Sequence, residues 1–210
     1  MILIGMFDSP FVRRVAVSLK LHEMPFEHRN WSVCKDQAQI RKLNPLGRVP
    51  ALVLDDGVLT ESSAILDYLD DRVGQGRALL PVTGPPRRKA LHLMALATGA
   101  AEKGAQQIYE TVFRPADKRH EPWTKRLSEQ MHGALAALDR AAAAIKGSDW
   151  LIDEGITQAD VTVACVFTYL DEALALDPKL YPALRKHVAR CEKLPAFKSV
   201  YAPFDAPKLP

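Results

Sequence analysis

Apolar residues open the chain as a short, nearly unbroken run from Ile2 to Phe7, the form taken by a strand buried on both faces. The rhythm then changes. Phe11, Val12, Val15, Ala16 and Leu19 recur at helical spacing, which predicts a helix entered through Ser9-Pro10 and broken at Met24-Pro25. Phe26 to Trp31 reads as a second strand. A weaker helical segment covers Asp36 to Leu43, and Asn44-Pro45-Leu46-Gly47 punctuates it. Ala51 to Leu54 and Val58 to Thr60 flank Asp55-Asp56-Gly57, a hairpin signal because glycine tolerates a positive φ. From Ser62 another helix places Ile65, Leu66, Leu69 and Val73 on one side. The predicted order is β-α-β-α-β-β-α.

That order constrains topology. Two strands joined by a helix pair in parallel through a right-handed crossover, whereas the two joined by Asp56-Gly57 run antiparallel. The expected product over residues 1–78 is a small mixed sheet flanked by helices, the thioredoxin-like arrangement. LLPVTGPPRR then forms a proline-rich connection, read as a linker over 79–86, and no strand follows it. Leu91, Met94, Thr98, Ala101, Ile108 and Val112 outline a long helix to about Phe113. Trp123, Leu127, Met131, Leu135, Leu138, Ala142 and Ile145 outline another. Thr157 and Asp160 have the spacing of a capping box, with Ile156 and Val161 as its hydrophobic staple. The stretch behind them, VTVACVFTYL, is apolar on nearly every face and predicts a helix through the domain centre. The fold class is therefore α+β: a thioredoxin-like N-terminal domain followed by an all-α domain over residues 87–210.

Composition narrows the class of function. Apolar residues make up 48% of the 210 and charged residues 25%, as in an ordinary globular protein. A net charge of +3, evenly interleaved, gives no reason to expect nucleic acid or a membrane surface as partner. No apolar stretch approaches the roughly 20 residues that span a bilayer. MILIGMFDSP lacks both a basic segment and a long apolar stretch, so no signal peptide and a cytoplasmic location are expected. Cys34, Cys165 and Cys191 are odd in number and far apart, which argues against a disulfide framework. The histidines show no ligand spacing, and no glycine-rich phosphate loop is present. Neither a metal nor a nucleotide is expected.

Ser9 admits two roles. It can cap the helix, with Pro10 at the first helical position, or it can be a chemical group placed where a helix start favours an anion. The local residues permit both.

The succession of a thioredoxin-like domain, a proline-rich linker and a helical domain with a capped central helix resembles the cytosolic glutathione S-transferase family. The most specific section is NPLGRVPALVLDDGVLTESSAILDYLDD, residues 44–71, in register with SPF upstream and TQAD downstream. The resemblance is to the serine-type members, bacterial proteins related to the tau, phi and zeta classes. It implies glutathione as co-substrate, an electrophilic and mostly apolar small molecule as second substrate, and a homodimer. Arg87, Arg88 and the helix from Leu91 offer a surface for that dimer.

By this resemblance Ser9 activates the thiol. A hydroxyl donating to sulfur stabilises the thiolate of a group whose free pKa is about 8.5, and the helix start adds to the effect. Ser62 and the helix behind it receive the γ-glutamyl carboxylate, while Glu61 pairs with the neighbouring ammonium. The backbone of Val49 pairs with the cysteinyl part of glutathione. X-Pro bonds in folded proteins are cis only about 5–6% of the time, so residue statistics favour a trans Val49-Pro50 bond. The resemblance implies cis. Arg48 and Lys35 are candidates for the glycyl carboxylate, each also readable as a solvated surface charge. Phe7, Phe11, Gln106, Tyr109 and Phe113 are candidates for the second-substrate pocket. Arg13 reads as part of a solvated helix face. Other readings are a non-catalytic glutathione-binding scaffold, a peroxidase or reductase using Cys34, and a glutathione-dependent isomerase.

Overall fold

The computed structural model describes residues 1–152 and 155–206. The first domain contains β1 (Ile2–Ile4), α1 (Pro10–Leu21), β2 (Glu27–Arg29), α2 (Gln37–Leu43), β3 (Ala51–Val53), β4 (Val58–Thr60) and α3 (Ser62–Val73). Its sheet has the order β2-β1-β3-β4. The β1–β2 pair is parallel, and the pairs β1–β3 and β3–β4 are antiparallel. This is the mixed thioredoxin-like sheet that the strand order predicts.

Two local details differ from expectation. β1 stops at Ile4 because Gly5 turns the chain with φ +126° and donates its N–H to Arg29 O. Phe7 therefore leaves the sheet and stacks on His28, ring centroids 3.8 Å apart. The β3–β4 hairpin forms as read, closed by Leu54 N–H to Gly57 O at 2.8 Å. Its glycine, however, is not among the residues with positive φ, so the turn does not draw on that freedom.

The helical domain comprises α4 (Gly84–Val112), α5 (Glu121–Ala143), α6 (Gln158–Leu174), α7 (Pro182–Cys191) and the short α8 (Pro195–Lys198). α4 begins at Gly84, so the end of the stretch read as a linker over 79–86 belongs to its first turn. Prolines fit there because a first-turn N–H has no intrahelical acceptor to lose. α5 ends at Ala143, leaving Ile145 outside it, and Trp123 is largely exposed. α6 is buried from Gln158 to Phe167, and its start carries the predicted box. Asp160 accepts from Thr157 N–H (2.8 Å), Thr157 Oγ1 (2.7 Å) and Leu151 N–H (2.8 Å). Among the described residues no helix is long and apolar enough to cross a membrane.

One continuous apolar cluster joins the domains, from Leu3 and Val15 through Leu66 and Met94 to Val161 and Leu170. α1 lies between the sheet and α6, so residues 12–19 are all buried. That placement overturns the solvated reading of Arg13. Its guanidinium is 3% exposed and makes a two-pronged ion pair with Glu192 at 2.7 and 2.6 Å. Burial alone lowers its pKa, but the Glu192 carboxylate outweighs this and the net direction is upward.

Candidate functional site

Ser9 stands immediately before α1 in extended backbone conformation, φ −69° and ψ 122°. Its carbonyl accepts the Arg13 N–H (2.9 Å), as an N-cap residue's does, and its own N–H donates to Met6 O. Its hydroxyl makes no capping bond. The backbone of the cap is thus in place while the side chain remains uncommitted, and the residue is half-buried.

Val49 is brought to the same place by glycine. A Cβ on Gly5 would lie 2.5 Å from Val12 Cγ2 and 2.8 Å from Val49 Cβ, so the end of β1, the first turn of α1 and Val49 meet only because that position is bare. The Val49-Pro50 bond is cis, as the resemblance implies and against the residue statistics. Val49 precedes β3 and belongs to neither of its ladders. Asn44, 4% exposed, shapes the approach: its Nδ2 donates to Arg48 O (2.9 Å) and its Oδ1 accepts from Leu46 N–H (3.1 Å). The sequence reading treated Asn44 as punctuation only, although an asparagine before proline and glycine carries the signature of a side chain that bonds its own loop.

Glu61 and Ser62 form the start of α3. Glu61 adopts φ 73°, and its Oε2 accepts the Ser63 N–H at 3.0 Å, so a carboxylate caps this helix. The Ser62 hydroxyl is fully buried and donates to Glu61 Oε1 at 3.2 Å. Beneath both lies Arg14, 1% exposed. Its Nη2 donates to Ser62 Oγ (2.7 Å) and Ser63 Oγ (2.9 Å), and its Nη1 reaches Thr162 Oγ1 of α6 (3.4 Å). Burial drives the Arg14 pKa down to about 10, partly offset by Glu61, so it stays protonated near neutrality. Burial also raises the Glu61 carboxyl, but the Ser63 amide, the Arg14 charge and the two hydroxyls outweigh it, and the net direction is downward. The result is an anchored acid beside a helix N-terminus. Arg14 was not among the expected site residues. The signal for it was present, since Val12, Val15, Ala16, Val17 and Leu19 leave α1 no polar face for a solvated arginine.

Arg48 and Lys35 are both exposed, and no ion pair among the described residues engages either. Arg48 is close enough to influence Tyr109 of α4. The Tyr109 hydroxyl is raised by burial first, with Cys34 and Asp8 adding to the rise and Arg48 opposing it. Tyr109 packs on Phe113, ring centroids 5.2 Å apart. Phe7 and Phe11 are partly buried against the core. Gln106 is exposed on α4, and no hydrogen bond links it to another described residue. Cys34 lies in the loop before α2 and is half-buried, with its N–H donating to Ser32 Oγ.

The chain's relatives share its fold. The N-terminal domain of glutathione S-transferases matches residues 3–77, and the C-terminal domain of glutathione S-transferases matches residues 105–195. Glutathione S-transferase 1 of Manduca sexta is 30% identical over 79% of this chain and 73% of that protein. A glutathione S-transferase of Methylobacterium radiotolerans, crystallised with glutathione sulfonate, superimposes with TM-score 0.88 at 26% identity, covering 99% of this chain and 98% of that one. A glutathione transferase family member of Pseudomonas fluorescens Pf-5, with bound glutathione, superimposes with TM-score 0.78 at 30% identity, covering 97% and 99%. With both domains matched in order, and relatives that span nearly its whole length, this chain belongs to the glutathione S-transferase family.

Proposed function

We propose that the protein is a glutathione transferase in which Ser9 stabilises the bound thiolate for attack on an electrophilic carbon. The observation that carries this reading is the uncommitted hydroxyl of Ser9 at the start of α1. A hydroxyl with no internal partner can donate to sulfur, and the positive end of the helix adds to the stabilisation. Ser9 loses no proton. The thiol proton passes to solvent, the sulfur forms a bond to carbon, and a leaving group such as chloride departs with its electron pair.

The rest of the peptide is assigned along the first domain, residues 1–78. The γ-glutamyl carboxylate meets the start of α3 at Ser62, and the ammonium meets Glu61. The Val49 backbone pairs with the cysteinyl unit beside the Val49-Pro50 bond. Arg48, with Lys35 farther out, faces the glycyl carboxylate. The electrophile lies toward the helical domain, residues 87–210, against Phe7, Phe11, Gln106, Tyr109 and Phe113. A homodimer through the α3 and α4 faces is supported by exposed Leu91 and by a cleft of about 320 Å³ whose lining includes Leu66, Leu91 and Met94. The setting is cytoplasmic.

Conjugation of 1-chloro-2,4-dinitrobenzene with glutathione tests the reading. Ser9→Ala is expected to lower kcat/KM by about 100-fold, in the range of a lost stabilising donor, and to move its pH midpoint upward. Melting temperature is expected to stay within a degree or two, because the hydroxyl makes no capping bond to lose. Unchanged turnover removes Ser9 from the mechanism. If glutathione raises the melting temperature while no electrophile is conjugated, the scaffold reading replaces the enzyme.

A further inference from the structure

Asp8 sits between the pocket candidate Phe7 and the proposed catalytic Ser9, and the fold makes little use of its carboxylate. Oδ2 accepts one long bond, from Asp205 N–H at 3.3 Å. Oδ1 is buried with no hydrogen-bond partner. No Lys, Arg or His among the described residues forms an ion pair with it. A buried carboxylate oxygen without a partner is costly. Burial accordingly raises this carboxyl above its ordinary range, and the nearby Asp205 charge adds to the rise, against help from backbone amides.

The surroundings point the same way. Asp8 acts electrostatically on the hydroxyls of both Tyr109 of α4 and Tyr169 of α6. No hydrogen bond connects either hydroxyl to the described residues. Tyr169 in turn packs edge-on against Phe204, centroids 5.7 Å apart, the residue just before Asp205. The Asp8 carboxylate thus lies within electrostatic reach of two phenol hydroxyls that have no partner among the described residues, and their rings pack on Phe113 and Phe204. All three accept hydrogen bonds, and Asp8 and Asp205 bring two carboxylates to this side, against the single cation Arg48 that also acts on Tyr109.

We propose that Asp8 is a specificity-determining residue of the second-substrate pocket and selects electrophiles carrying a cationic group over anionic ones. The inference rests on the transferase reading above and narrows its substrate class from apolar electrophiles to apolar electrophiles with a positive end. Phe7, Phe113 and Phe204 receive the apolar body, and Asp8 and the tyrosine hydroxyls receive the positive end.

Three aryl chlorides of different charge test it with glutathione at pH 7.5: 4-chloro-1-methylpyridinium (cationic), 1-chloro-2,4-dinitrobenzene (neutral) and 4-chloro-3,5-dinitrobenzoate (anionic). Each wild-type kcat/KM is divided by the uncatalysed rate constant to remove intrinsic reactivity. The wild type is expected to rank cationic above neutral above anionic. Asp8→Asn keeps the shape and an oxygen that accepts the Asp205 amide. It is expected to lower the cation-to-anion ratio by about 10-fold or more, the size of one close charge interaction in a half-buried site. Asp8→Glu keeps the charge and is expected to hold the ratio on the wild-type side of Asp8→Asn. A ratio within twofold of wild type in Asp8→Asn overturns the assignment while leaving the transferase reading intact. A wild type that conjugates none of the three overturns the transferase reading itself.

Discussion

Replacing Arg14 with methionine separates what holds this fold together from what holds its site. The buried guanidinium donates to Ser62 Oγ and Ser63 Oγ at 2.7 and 2.9 Å. Bonds from a charged donor contribute about 1.5–3 kcal/mol each, so their loss costs about 3–6 kcal/mol. Against that stands the cost of keeping the charge out of water. A pKa driven from 12.5 to about 10 means that the fold disfavours the charged form by about 3 kcal/mol relative to the neutral one. Nε is buried without a partner, which adds to the cost. Methionine fills similar volume and carries no such cost, so the two effects nearly cancel. The expected change in stability is within about 2 kcal/mol, or a melting shift of about 8 °C at most for a chain of this size. Function should respond differently. Glu61 loses its counter-charge and the start of α3 loses the group that holds both serines, so glutathione binding weakens. The KM for glutathione, measured at saturating aryl chloride, is expected to rise about 10-fold, equivalent to 1.4 kcal/mol, with kcat changed much less. A melting temperature lowered by well over 10 °C with an unchanged KM would refute this reasoning and make Arg14 a clamp between α1, α3 and α6.

Gly5→Ala places a methyl group against Val12 and Val49 at a backbone angle that alanine avoids. It is expected to cost about 3 kcal/mol and roughly 6–12 °C in melting temperature, and to raise the KM for glutathione by moving Val49. Asp160→Ala strands the Leu151 and Thr157 amides in the interior, with an expected loss of about 4 kcal/mol read from the urea midpoint. The pH dependence follows from Cys165, whose thiol burial pushes up to about 12 from 9.0. For a raised pKa the contribution to stability is present below the unfolded value, near 9, and is lost as pH rises through about 12. Chemical denaturation between pH 8 and 11 is expected to show stability falling above pH 9, and Cys165→Ala should flatten that fall. An identical slope in the variant would assign the alkaline loss to other groups.

The features legible in the amino-acid order are those whose partners lie within a few residues. Apolar spacing located α1, α3 and α4, the Asp55-Asp56-Gly57 stretch located the hairpin, and Thr157 with Asp160 marked the start of α6. Each depends on backbone geometry over one or two turns, which local order controls. The positions of Ser9, Glu61 and Ser62 at helix starts were legible for the same reason.

What could not be read locally concerns partners far apart in the chain. Arg13 and Arg14 are neighbours on one helix, yet one meets Glu192, 179 residues away, and the other meets Ser62, 48 away, and Thr162, 148 away. The apolar neighbours hint that α1 has no solvated face, but which groups meet the two guanidiniums is decided only once the sheet lies on one side of it and α6 on the other. The Asp205 amide reaches Asp8 from 197 residues away, so the tail's share in the cleft appears only once the helical domain has folded back over α1. The cis Val49-Pro50 bond belongs to the same group, because residue statistics favour trans and the packed chain adopts the other form. Helix starts and strand order were therefore properties of short segments. The charge, burial and company of the site residues depend on which distant surfaces the apolar core presses together, and no local period carries that information.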